Sequence, residues 1–191
     1  MNAHDSAADV PATTRVARPS RTPVPALPAL DQLDRTHRQM LQTLEQLGQL
    51  VEHLDAHGVD ATARATARTI CAFFAEHARR HHADEETLVF PLLIARQDPG
   101  LTQHVLRLQQ DHGWLEEDWL ELAPQLQAVG EGYSWYEIDG LRHGVGVFTA
   151  LYQEHIALEE SMIYPAARRE ADAQAAAEAA SRAARHADLT A

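Results

Sequence analysis

Two segments of this chain repeat one another, and the repeat restricts the fold more than any other feature. His81-His-Ala-Asp-Glu85-Glu86-Thr-Leu-Val-Phe90-Pro91 runs in register with His155-Ile-Ala-Leu-Glu159-Glu160-Ser-Met-Ile-Tyr164-Pro165. Each His-x-x-x-Glu puts its two side chains on one face of a helix, a turn apart. A single such pair arises readily by chance in a histidine-rich helical chain. Two copies with matching flanks do not, and His37 and His112 precede them at nearly matched offsets. The chain therefore reads as two helix pairs related by a pseudo-twofold, each contributing two histidines and one glutamate.

The flanking residues carry the period of helices. Leu30, Leu33, His37, Met40/Leu41, Leu44, Leu47 and Leu54 form one stripe, ending near His57-Gly58. A second helix is expected after the N-cap Asp60, with Ile70, Phe74, His77, His81, Glu85, Leu88 and Leu92 on its stripe. Asp98-Pro99 opens a third, carrying Leu101, Val105, Leu108, His112, Leu115, Trp119, Leu122 and Leu126. After the turn Gly130-Glu131-Gly132, Ser134 and Glu137 form a capping box for a fourth, with Leu141, Val145, Phe148, Tyr152, His155, Glu159 and Met162. Four long helices with short connections predict an all-α, up-down-up-down four-helix bundle over residues 29–170. Residues 1–28, with five prolines, predict a disordered tail. Residues 171–191 are Ala-rich and polar on all sides, which predicts an exposed helical extension.

His37, His81, Glu85, His112, His155 and Glu159 all fall on stripes otherwise made of Leu, Val, Phe and Met. An unpaired carboxylate in such a core costs roughly several kcal/mol. No lysine or arginine lies on these stripes within a turn of the six, so the compensating positive charge points to a metal cluster. At about 1.5 Å per residue all six lie about 12–24 Å from one end of the bundle, so one site can collect them. Mixed nitrogen and oxygen donors suit iron, manganese or zinc. The single cysteine, Cys71, excludes a disulfide framework and a Cys-based zinc or iron–sulfur site. A formal charge of −12 argues against nucleic acid or an anionic membrane as partner. No segment is apolar for long enough to span a bilayer, and the first residues lack a signal-peptide pattern, so a reducing, cytoplasmic setting is expected.

The pattern resembles the hemerythrin-like (HHE cation-binding) family from residue 30 to about 168, the two His-x-x-x-Glu-Glu-x-x-x-Phe/Tyr-Pro segments being its most specific marks. The resemblance implies a non-haem centre of two iron ions. His37 and His81 would hold one and His112 and His155 the other, with Glu85 and Glu159 bridging them beside an oxo or hydroxo group. Its ligand would be a small diatomic molecule or peroxide. Its role would be to bind or react with oxygen, peroxide or nitric oxide or to donate iron in stress repair, with a non-catalytic sensor or metal store as the alternative. The set is more similar to the repair-of-iron-centres branch than to oxygen carriers. Carriers have a further histidine where this chain has Leu108, and an aspartate where it has Glu159. Turnover, a redox partner and a protein partner stay open at this point.

Other polar residues have plainer expectations. His77, one turn before His81, is a partly buried core residue, its repeat counterpart being Leu151; Glu116, four after His112, is a solvated boundary residue. His82, His104 and His143 fall off the stripes and are expected on the surface. Glu86 and Glu160 divide evenly between support for the ligands and plain exposure. Pro91 and Pro165 are expected to end or kink their helices.

Overall fold

The computed structural model describes residues 27–190; of the tail expected over residues 1–28, residues 1–26 lie outside them, and Leu27 and Pro28 already belong to the first helix. Four rods follow one another. The first is α1 (Leu27–His57), and the third is α5 (Pro99–Glu131). The second is built of α2 (Ala61–Ala72), α3 (Arg79–Asp84) and α4 (Phe90–Ile94), joined by π-helical turns at Phe73–Ala78 and Glu85–Val89. The fourth joins α6 (Ile138–Leu158) to α7 (Tyr164–Thr190) through a π turn at Glu159–Ile163. Each rod packs on its sequence neighbours, and the first closes on the fourth. Short connections make neighbours antiparallel, the expected bundle. There is no strand among the described residues, and no helix there is long and apolar enough to cross a membrane.

Local chemistry sets the rod ends. Gly58 takes the left-handed conformation (φ 70°) and its N–H bonds Leu54 O at 2.9 Å, closing α1. The Asp60 carboxylate accepts the N–H of Ala63, and Asp98 accepts those of Gly100 and Leu101 ahead of Pro99. The fourth rod departs from expectation. Glu137 is itself the N-cap, accepting the N–H groups of Asp139 and Gly140, and Ser134 takes no part. A glutamate long enough to fold back over the first turn does the work expected of a serine three residues earlier.

The π turns explain the other departures. Each inserts extra chain into the helical period, so the core-facing position slips by one residue. Ala78 is buried where His77 was expected, and His77 is exposed. Val89 replaces Leu88 in the core, and Ile163 is buried while Met162 is 43 % exposed. The two later π turns each end on an i→i−5 bond, Phe90 N–H to Glu85 O and Tyr164 N–H to Glu159 O, immediately before a proline. In α geometry the rings of Pro91 and Pro165 would collide with carbonyls four residues back. The wider turn relieves that collision, so the rods continue past both prolines instead of ending there.

A polar layer divides the apolar core. On one side Met40, Leu47, Ile70, Phe74, Leu126 and Phe148 pack together, and on the other Leu30, Leu33, Phe90, Val105, Leu108 and Ile163. Phe74 anchors the larger side, its ring 4.9 Å from Trp119 and 5.1 Å from Phe148. Phe74→Ala should cost about 3–5 kcal/mol in urea denaturation, the range for emptying a large aromatic site; a cost under about 1 kcal/mol would mean that this side is loosely packed. Ala171 is the last buried residue of α7 among those described, and the residues from 175 to 186 are exposed.

Candidate metal centre

The polar layer consists of the residues that broke the stripes. His37 comes from α1, His81 from α3, Glu85 from the first residue of a π turn, and His112 from α5. His155 comes from the end of α6, and Glu159 from the first residue of the last π turn. All six are buried. Donor atoms of His37, His81, Glu85 and Glu159 lie within 4.8 Å of one another, as do those of Glu85, His112, His155 and Glu159. The two groups share the two glutamates.

The spacing fits cations rather than a hydrogen-bonded polar core. His37 Nε2 and His81 Nε2 are 3.0 Å apart, close to the edge of an octahedron with bonds of about 2.1 Å, the usual imidazole–metal length. His37 Nε2 lies 3.1 Å from Glu159, and His81 Nε2 lies 3.3 Å from Glu85. His155 Nε2 and Glu159 Oε1 are buried without a hydrogen-bond partner. Buried polar atoms in native folds are almost always paired, and these face the same small volume. Burial pushes the Glu85 carboxyl up, but the charge of His81 and the contacts of His112 outweigh it and hold Glu85 well below its ordinary range. Glu159 moves the other way, raised well above its ordinary range by burial and by the charge of Glu85. Two carboxylates facing one dry cavity cannot both ionise unless cations join them.

Surrounding groups fix the rings. His37 Nδ1 lies 3.2 Å from Glu160 Oε1, and His112 Nδ1 lies 2.9 Å from Glu86 Oε1. A carboxylate at Nδ1 places the proton there and leaves Nε2 free to face the cage. Glu86 and Glu160, though roughly half exposed, thus support the ligands, and they occupy equivalent positions in the repeat. Tyr164 stacks on His37 with ring centroids 5.1 Å apart, as Phe90 stacks on His112 at 5.7 Å. The Tyr164 hydroxyl donates to Glu85 Oε1 and lies 3.1 Å from His37 Nε2. Burial, with the charges of Glu85 and Glu159, pushes this phenol far up, so it stays protonated.

Two residues sit otherwise than the sequence suggested or escaped it, and a third sits as expected. Asp111, buried, brings Oδ2 to 3.8 Å from His155 Nδ1 and 3.7 Å from Arg107. A carboxylate one position off an apolar stripe and four after an arginine was its only signal. His82, expected on the surface, is half-buried and stacks on His112 with centroids 4.0 Å apart. Burial and His112 lower it well below its ordinary range, so the ring is neutral. Glu116, as expected, is exposed; it pairs with Arg79 at 3.4 Å, away from the cage.

An uncharacterized protein of Haemophilus influenzae is 31 % identical over 113 residues, which is 59 % of this chain; the chain spans 63 % of that relative's length. The family model of the hemerythrin HHE cation-binding domain matches residues 29–167, a span that contains every residue of the cage. A helical bundle whose core carries clustered histidine and glutamate donors over that span belongs to the hemerythrin HHE cation-binding family.

Proposed function

We propose that the chain holds a pair of iron ions in this cage and binds or reacts with oxygen, peroxide or nitric oxide, or donates iron in stress repair. The observation that carries this reading is the pair of four-donor groups sharing Glu85 and Glu159. His37 and His81 would hold one ion, His112 and His155 the other, and the glutamates would bridge them. Iron in such a setting supplies one-electron chemistry and open positions for small molecules. The residues contribute geometry, imidazoles turned inward by Glu86 and Glu160, and apolar clusters on both sides of the cavity. Leu108 and Glu159, where oxygen carriers have histidine and aspartate, support a place nearer the repair branch than the carriers. A cytoplasmic setting and a separate electron or protein partner belong to the same proposal.

The test is metal analysis with absorption spectra of protein purified in air, then reduced and exposed to nitric oxide. About two irons per chain, oxo-bridge charge-transfer bands and a spectral change with nitric oxide are expected. Colourless protein holding zinc or nothing would overturn the reading. Iron that binds reversibly, without turnover of any of the three small molecules, would favour the sensor or store.

A further inference from the structure

Two of the six differences between the repeat segments alter the chemistry beside the cage. Position 156, an isoleucine, corresponds to His82, and Phe90 corresponds to Tyr164. Beside His37, the Tyr164 hydroxyl already occupies the space next to the ring and is tied to Glu85. Beside His112, Phe90 has no hydroxyl, and an imidazole stands where the other half has only the buried side chain of Ile156. That half also opens outward. A groove of about 520 Å³ runs between the second rod and α5, lined by Phe74, Leu115 and Trp119 together with the charged Arg79, Glu86 and Glu116, and reaches His82 and His112.

Resting on the reading above, we propose that this groove admits the small ligand to the His112–His155 half, and that His82 holds it there by a hydrogen bond. Ring nitrogens of His82, His112 and His155 lie within 4.8 Å of one another, but His82 does not join the group containing the glutamates. It therefore stands on the outer side of the two imidazoles, away from the bridging carboxylates, where a molecule arriving by the groove would come to rest. Its Nε2 is buried without a hydrogen-bond partner. The ring packs edge to face on that of His155, centroids 5.6 Å apart and in contact, so the space left beside its nitrogen takes only a few atoms. The occupant is a molecule of two or three atoms with a lone pair for a metal and an acceptor for an N–H; peroxide, nitric oxide and azide share that chemistry.

Azide added to the oxidised, iron-loaded protein is the probe, read by absorbance as affinity and as rate of binding, with metal content measured in parallel. His82→Ala should weaken azide at least about tenfold at unchanged iron content, and His82→Gln, which keeps an N–H donor, should recover part of the loss. Gly113 borders the groove, and a Cβ added there meets nothing within 4 Å. Gly113→Leu should therefore fold, since leucine favours a helix over glycine, and should slow azide binding at least about tenfold with little change in affinity. Wild-type affinity in both His82 variants, or an unchanged rate in Gly113→Leu, would overturn the proposal while leaving the iron reading intact. Wild-type protein that takes up no metal would overturn both.

Discussion

With the proposed pair of ions in the cage, Glu159→Ala should release both, whereas His81→Ala should remove only one. The asymmetry follows from the donor groups: Glu159 belongs to both, and His81 to the one that contains His37. Altering residues that merely support a metal ligand typically costs about 10–100-fold in affinity, so loss of a shared ligand should exceed that range. Metal content after dialysis against a fixed free-iron concentration reads the result directly. Glu159→Ala protein that retains one ion would mean that the glutamate serves one half alone. Loss of both ions in His81→Ala would mean that the halves bind only as a unit.

The second large effect is on stability. Without metal, the core contains carboxylates and imidazole nitrogens that face one another with too few partners, His155 Nε2 and Glu159 Oε1 among them. Such atoms are costly to bury unpaired, and a cation that binds only the folded chain relieves them. At free metal about 1,000 times the dissociation constant, linkage gives about 4 kcal/mol of stabilisation. For a chain of this size that is a rise in Tm of roughly 8–16 °C. Calorimetry of metal-free and iron-loaded protein checks it, and Glu159→Ala should show almost no rise. Equal Tm values with and without bound iron would mean that iron binds the unfolded chain as tightly as the folded one.

Much of the site was readable because burying charge is expensive. A histidine or glutamate on a stripe of leucines has few physical explanations, and six of them at matched positions converge on one. The helix period and the repeat therefore identified His37, His81, Glu85, His112, His155 and Glu159, and the structure brings all six into one buried layer. The same reasoning misplaced His77, Leu88 and Met162, since a uniform 3.6-residue period cannot anticipate a π turn. Pro91 and Pro165 marked where the helix had to deviate, but a proline alone does not distinguish a stop from a widened turn.

The sequence by itself determined the helical class, the rod ends at Gly58, Asp60 and Asp98, and the identity of the buried donors. These depend on local φ/ψ preference, capping and the cost of buried charge, all of which act within a few residues along the chain. Only the tertiary structure decided which groups meet from different rods. It set the carboxylates of Glu160 and Glu86 against His37 and His112, the Tyr164 hydroxyl on Glu85, and His82 against His112. These contacts join residues up to 123 positions apart, and they depend on how the rods rotate and slide as their side chains pack, which local periodicity does not encode.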